Sequence, residues 1–420
     1  MELQTEPTGL VVREIIKVFY EPHRVFKEIF QNPKFLGPLL ILVIFIAAQT
    51  GAYYARASKL YPEVTLPTGQ QADAWTEDAK LWQASPGVII SDNYVDFING
   101  TSSGSGSPDY YGNSSIEFAL NNSQTMQIAL ASLGGSVDCS ETGFKNLTFR
   151  IKLIAPEMPP KNASVLLYSL SDSNYFRYDL TERFSETAPD MWNNITIPVG
   201  STAWSSSNSD AKWQNITSLM MELSWSDKSN VKMRIDGLFF RGIFKNAIEV
   251  QGDQASLLKF AMLATTSFLF QWLFLSAVIF LIAKGLKGKV PWNQLMVAVG
   301  FASVTMIVQA LILLVTYSMS SPINLPLEYF GGVPNEFNAA NQALIDAMKQ
   351  ESLITTAAQV AIWIWTIGLG AFIVREVPIV GAVSAGEEAG LPSQLTWLKC
   401  LGVSAASFAL TIIVMGFLRL

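Results

Sequence analysis

The sequence predicts a multi-pass α-helical membrane bundle of about five spans, with an inserted all-β jelly-roll or sandwich domain outside the membrane. Three observations predict it. Half of the 420 residues are hydrophobic and only 15% are charged, and the apolar residues cluster in long blocks rather than spreading evenly. One long segment between two such blocks switches to period-two alternation. All the Asn-x-Ser/Thr triplets fall within that same segment.

The chain begins with two short amphipathic stretches within 10–31. In the first, Val11, Val12, Ile15, Ile16, Val18 and Phe19 are apolar. In the second, Pro22 suits a first helical position, and Val25, Phe26, Ile29 and Phe30 make an apolar stripe with Arg or Lys on the other face. Such a stripe either lies on a lipid surface, which would make these four the membrane-surface residues, or packs against the protein's own cytoplasmic loops. The first 34 residues lack a long apolar core, so no cleavable leader is expected.

Runs at 35–55, 257–283, 292–317, 354–374 and 396–418 are each long enough for the roughly 20 residues a bilayer core requires. Basic residues in short connectors orient them. Lys284, Lys287 and Lys289 mark 284–290 as cytoplasmic, and Arg13, Lys17, Arg24, Lys27 and Lys34 put the N-terminus on the same side. Five passes then place 56–256, 318–353 and the C-terminus outside. The expected organisation is a cytoplasmic segment 1–34, a first span 35–55, an external β domain 56–250 and a four-span helical domain 251–420. Residues 56–250 carry 15 basic and 21 acidic groups, which accounts for the whole net charge of −6. Nothing in that balance suggests nucleic acid.

Sequons at Asn99, Asn113, Asn121, Asn146, Asn162, Asn194 and Asn215 are the candidate glycosylation sites. Seven within one predicted external loop agree with the lysine-based orientation. Cys139 and Cys400 lie in segments of different kind, so no disulfide between them and no metal spacing is expected. A large external domain without a disulfide fits a prokaryotic, archaeal-type cell surface better than a eukaryotic secreted module.

Strands follow from alternation: Leu147 to Leu153, Ile195 to Val199, Leu219 to Trp225 and Val231 to Ile235 each place apolar residues at every second position. Eight to ten strands of this kind are expected. The pattern Trp192-x-x-Ile195-x-Ile197, Trp204, Trp213-x-x-Ile216-Thr217 and Val231-x-Met233-x-Ile235-Asp236-Gly237-Leu238 resembles galactose-binding-domain-like jelly rolls, a fold that many carbohydrate-binding modules share. The resemblance implies sugar binding, with Trp204, Trp213, Tyr175 or Tyr178 stacking on a glycan ring; the alternative is that these aromatics fill the core. It also raises Asp92, Asp96 and Asp236 as holders of a structural calcium ion, but no loop has a calcium spacing. No metal ligand and no cofactor is assigned.

Within the spans, ionisable groups stay near the ends. Interior polar groups are Gln271, Gln309, Gln359, Thr265, Thr266, Thr355, Thr356 and Ser407, which serve either interhelical hydrogen bonds or a substrate path. The only histidine, His23, rules out His-Glu-x-x-His zinc sites and Ser-His-Asp triads. No Walker or Gly-x-Gly-x-x-Gly loop occurs, and an enzyme is not expected.

Pro22-x-x-Val25-Phe26-x-x-Ile29-Phe30-x-Asn32-Pro33, followed by Gly37-Pro38-Leu39-Leu40, resembles the Yip (Ypt/Rab-interacting protein) domain family over 15–55 and 250–420. That resemblance implies five spans, a cytoplasmic N-terminus and an outer C-terminus. The family's Tyr-Gly-Pro type cytoplasmic motif is missing, so its small-GTPase activity does not carry over. The expected function is a non-enzymatic cell-membrane protein that displays a glycosylated jelly roll toward an envelope glycan or a membrane-protein partner. The alternatives are a membrane-organising or trafficking factor working through the amphipathic N-terminus on the lipid bilayer, and a channel or transporter.

Overall fold

A computed structural model of the chain describes residues 8–67, 73–99, 111–331, 333–378 and 395–418. They form two compact units. One holds Tyr61–Lys245 together with Ile323–Asp346; the other holds Met1–Leu60, Asn246–Pro322 and Ala347–Leu420.

The first is an antiparallel β-sandwich. Its strands are β1 (Leu60–Leu66), β2 (Trp82–Ala84), β3 (Ile89–Asn93), β4 (Ser115–Leu130), β5 (Asn146–Ala155), β6 (Asn162–Ser169), β7 (Ser171–Asp179), β8 (Asn193–Pro198), β9 (Ser205–Ser206), β10 (Ile216–Phe244) and β11 (Ile323–Leu325). The two longest, β4 and β10, pair from Leu219↔Leu130 to Ile235↔Ile116, with a register shift between Ser224 and Ser229. The other edge of β10 changes neighbour along its length. Its first half takes β6, from Ile216↔Ser169 to Ser224↔Asn162, and its second half takes β5, from Lys232↔Ala155 to Arg241↔Asn146. One strand pair therefore runs through both layers. β2, β6, β7 and β9 extend one, and β3, β5 and β8 extend the other.

Alternation decides what lies between the layers. Leu219, Met221, Leu223, Val231, Met233 and Ile235 of β10 are buried, with Phe149 and Ile151 of β5, Val165 and Leu167 of β6, and Ile195 and Ile197 of β8. Each such side chain contributes about 1.5–3 kcal/mol of transfer free energy when fully buried.

The 318–353 stretch is more than the loop the sequence suggests. β11 adds to β1, which itself pairs with the far end of β10. A short helix (Leu327–Gly331) follows, and then a 42-residue helix, Pro334–Arg375, opens with proline and an early Glu336. Glu328 and Glu336 pair with Arg241 and Arg150 of the sandwich. A three-residue strand carries too little periodicity to be seen in sequence.

In the helical unit, α1 (Thr8–Lys17) and α2 (Pro22–Gln31) precede α3 (Leu36–Ala57). Later come α4 (Asp253–Gly285), α5 (Trp292–Ala302), α6 (Val304–Met319), α7 (the Pro334–Arg375 helix) and α8 (Trp397–Leu418). Leu36–Ala57, Asp253–Gly285, Trp292–Met319, Pro334–Arg375 and Trp397–Phe417 are long and apolar enough to cross a membrane. The third breaks at Ser303, whose hydroxyl donates to the Val299 carbonyl at 3.0 Å.

The membrane-surface assignment of the N-terminal stripe needs correction. Val25, Phe26 and Ile29 are 0%, 0% and 4% exposed, and half-buried Phe30 packs on the same core. α2 lies on α5, so the stripe's apolar partner is the protein itself and not lipid. Close by, a Cβ at Gly37 would run into the Phe301 ring, and one at Gly300 would sit 2.6 Å from Pro38. The Gly37-Pro38 pair opens α3 against α5 because neither glycine carries a side chain there.

Candidate functional site

The outer faces of β4, β10, β6, β7 and β9 form a cleft of 570 Å³. Registers explain its lining. Gln127 stands opposite Glu222, Glu222 opposite Ser164, and Ser164 opposite Asp179. These residues therefore form a polar row across four strands, on the face turned away from the core.

Glu222 is its centre. Gln127 Nε2 donates to Glu222 Oε1 at 3.0 Å, and Arg177 Nη2 lies 3.4 Å from Oε2. Arg177 also donates to Ser164 Oγ at 3.1 Å, and Asn162 Nδ2 to Ser224 Oγ at 3.2 Å. At the strand end, the Thr181 side chain and backbone hold the Asp179 carboxyl below the usual carboxylate range. Four residues further along these two strands, on the same face, Tyr168 pairs with Tyr175, their rings 5.7 Å apart and edge-on. Burial raises the Tyr168 phenol, with the Glu222 charge adding to it. Amides, hydroxyls, a carboxylate and a guanidinium beside half-buried rings give a surface that can bond hydroxyls in both senses.

Of the four aromatics singled out for stacking, the fold separates one from three. Tyr175 lies on the cleft face. Tyr178, three positions on, faces inward and meets Trp204 at 5.2 Å. Trp204 is 7% exposed, donates Nε1–H to the Pro198 carbonyl at 2.6 Å, and meets Trp213 edge-on at 5.5 Å. Trp213 stacks on Phe176 at 3.8 Å. Trp204 is corrected to a core residue, because its ring is enclosed on both sides. The cleft residues Arg177 and Glu222, and Tyr168 further along the same face, were not identified from sequence. The one signal available was their position on the polar phase of alternating strands.

The sequons are spread over the unit. Asn99, Asn113, Asn121, Asn162 and Asn194 are exposed, Asn146 and Asn215 half-buried, and none is buried. Asn162 lines the cleft.

A second cluster is acidic. Carboxylate oxygens of Asp73, Glu77 and Asp236 all lie within 4.8 Å of one another. Asp73 and Asp236 are 0% and 1% exposed. Asp236 accepts the Ile98 and Gly237 N–H groups at 2.6 and 2.7 Å, and Asp73 Oδ2 accepts that of Gly112 at 2.9 Å. Asp73 Oδ1 has no partner among the described residues. Burial, reinforced by the Asp236 charge, pushes Asp73 up to about 8, and burial pushes Asp236 to about 7. Three oxygen donors with an unpartnered buried oxygen fit a hard divalent cation such as calcium.

The grouping differs from the sequence-derived one. Asp92 accepts the Ala79 N–H at 2.6 Å, and Asp96 pairs with Lys152 at 2.9 Å and with Arg234. Only Asp236 belongs to the cluster. Its partners Asp73 and Glu77 are 163 and 159 residues away, beyond the reach of any loop spacing, and no metal ligand had been assigned.

No protein-family model matches this chain, and no curated protein matches it. Among solved structures, the sandwich is similar to carbohydrate-binding modules. A family 11 module from Clostridium thermocellum, in complex with a β-1,3-1,4-mixed-linked tetrasaccharide, is 15% identical; the match covers 39% of this chain and 90% of that one, with a TM-score of 0.25. The CBM22-1 xylan-binding domain of Paenibacillus barcinonensis Xyn10C is 16% identical over 38% of this chain and 83% of its own, with a TM-score of 0.23. A family 30 module of a Clostridium thermocellum cellulosomal cellulase is 10% identical over 42% and 96%, with a TM-score of 0.27. Similarity of this size carries nothing about ligand, which rests on the residues of the cleft.

Proposed function

We propose that this chain is a non-enzymatic membrane protein whose helical unit spans a bilayer and whose sandwich binds a glycan. The cleft centred on Glu222 carries the reading: polar groups from four strands converge on one open face beside the Tyr168–Tyr175 pair. Open clefts with hydroxyl-matching groups and a ring at one end suit sugars, which present alternating hydroxyl edges and apolar faces. Glu222 is engaged by Gln127 and Arg177, and Asp179 by Thr181. Both carboxylates act here as binding groups, not as an acid–base pair.

Sidedness is part of the same proposal. Lys284, Lys287 and Lys289 put their connector in the cytoplasm, and the seven sequons put the sandwich outside. We read the five apolar helices as Yip-like, supported by the Gly37-Pro38 packing on α5. A trafficking role for the α2 stripe loses its main support, since that stripe is buried.

The test is a glycan array probed with the full-length protein in nanodiscs, repeated with Tyr175→Ala and Glu222→Ala. Binding to a defined glycan class, weakened at least tenfold by each substitution, is expected. Glycan binding that neither variant alters would overturn the assignment of the cleft. Cysteine labelling in intact cells tests the sidedness: a cysteine in place of exposed Asp227 should react and one in place of Lys287 should not.

A further inference from the structure

The helical unit contains a cavity of its own, of 420 Å³. Four glutamines from four different helices line it: Gln49 of α3, Gln271 of α4, Gln309 of α6 and Gln359 of α7. Gln49 is buried, Gln271 and Gln309 are half-buried, and Gln359 is exposed at the rim.

Polar groups in apolar helices normally bond to their own helix or to a neighbour. Most of the hydroxyls here do so, buried Thr50 and Ser256 excepted. Thr265 donates to the Ala261 carbonyl at 2.7 Å, Ser407 to that of Val403 at 2.8 Å, and Thr305 and Thr366 bond across helices at 2.8 Å. The four glutamines do not. None of their amides has a hydrogen-bond partner among the described residues, and all four border the same space.

The lining has a second character. Phe45, Trp363, Phe408 and Ile412 form its apolar wall. Among the described residues, no Asp, Glu, Lys, Arg or His borders it. The cavity is far larger than the ~30 Å³ share of one water and falls within the range of small-molecule sites.

We infer that this cavity binds the head of an uncharged amphiphile. Glutamine amides supply both donors and acceptors without charge, so they satisfy hydroxyl, ester or amide heads. With no cationic side chain among the described lining residues, a phosphate or carboxylate head has no counter-charge there, and with no anionic one a cation has none. The aromatic and aliphatic wall receives the tail. The amide row explains why four helices that otherwise expose apolar side chains each carry one glutamine here.

The experiment uses full-length protein in nanodiscs and a diacylglycerol with a diazirine near its glycerol. Crosslinked peptides are mapped by mass spectrometry, with unlabelled diacylglycerol and phosphatidic acid as competitors. Crosslinks on α3, α6 or α7 beside Gln49, Gln309 or Gln359 are expected, displaced by diacylglycerol at least tenfold better than by phosphatidic acid. Gln309→Leu with Gln359→Leu should cut this labelling tenfold or more, and the melting temperature should hold or rise, because leucine suits the apolar surroundings. Should that pair fail to fold, Gln309→Asn shortens the same amide and should lower labelling alone. Labelling unchanged in the variants, equal competition by phosphatidic acid, or crosslinks scattered over lipid-facing residues alone would each overturn the inference.

Discussion

Arg241 grips Glu63 through two parallel N–H···O bonds, Nε to Oε1 at 2.9 Å and Nη2 to Oε2 at 2.7 Å. The pair joins β10 to β1. Glu63 is nearly inaccessible, and it also accepts the Gly242 and Leu327 N–H groups, both at 2.9 Å. Arg241 donates in turn to Glu328, Nη2 to Oε2 at 2.9 Å. One buried and one half-buried carboxylate thus depend on one guanidinium.

Replacing Arg241 with alanine strands both. Removing one partner of a buried pair typically costs about 3–5 kcal/mol, so Arg241→Ala should lower the unfolding temperature of the sandwich markedly. Arg241→Lys should recover only part, since lysine cannot bond bidentately. Differential scanning calorimetry of the two variants checks this. An unchanged melting temperature for Arg241→Ala would show that the pair contributes nothing.

Acid should loosen the sandwich through Asp96 and Glu117. Burial alone would raise both, yet Lys152 and Trp192 hold Asp96 below its ordinary value, and Lys232 and Arg234 do the same for Glu117. A carboxyl lowered on folding favours the fold above its unfolded pKa, about 4, and that contribution is lost as pH falls through the folded value. Stability should therefore drop steeply below pH 4. Arg234→Met should flatten that limb, as read by urea unfolding between pH 2 and 6.

Calcium should stabilise the wild-type protein through Asp73, Glu77 and Asp236. A ligand at a hundredfold excess over its Kd adds about 2.7 kcal/mol, so millimolar calcium should raise the melting temperature and a chelator should reverse the rise. Asp73→Asn should abolish the response, and it should stabilise the calcium-free protein only above about pH 8, where the buried Asp73 carboxyl would otherwise ionise. A melting temperature indifferent to calcium would dismiss the cation site.

Gly37→Ala should disturb the helical unit. The added Cβ meets the Phe301 ring, and overpacking costs typically 1–3 kcal/mol. Combining it with Phe301→Leu should restore part of the loss, which a double-mutant cycle on thermal stability would register. Additive losses would mean that the two positions do not touch.

Cleft recognition should depend on Arg177, whose guanidinium links Glu222 and Ser164. Arg177→Ala should weaken binding of a glycan identified on the array at least tenfold while leaving the melting temperature within a degree or two, since the side chain is half exposed. A loss matched by global unfolding would make its role structural.

The apolar runs and the alternating segments were plain in sequence because each is a long periodic signal. Leu147 to Leu153 and Ile195 to Val199 fall within β5 and β8, and all five apolar blocks lie in helices long enough to span. Adjacency was hidden. Alternation says which face Glu222 occupies, but not that Gln127 and Ser164 stand beside it. It could have parted Tyr175 from Tyr178, which lie in opposite phase, and it gives nothing for Trp204, which lies outside the strands. Asp73, Glu77 and Asp236 meet only through long-range closure, and β11 is too short to announce itself.

That strand and its neighbours set an order of events. Synthesis delivers residue 63 early, yet the Leu327 N–H that caps its carboxylate arrives 264 positions later, after α4, α5 and α6 have been made. Until then β1 offers a bare edge and Arg241 serves one acid instead of two. A ribosome-bound chain therefore carries an incomplete sandwich through most of its synthesis, and protease sensitivity there should vanish only once the segment through Asp346 has emerged.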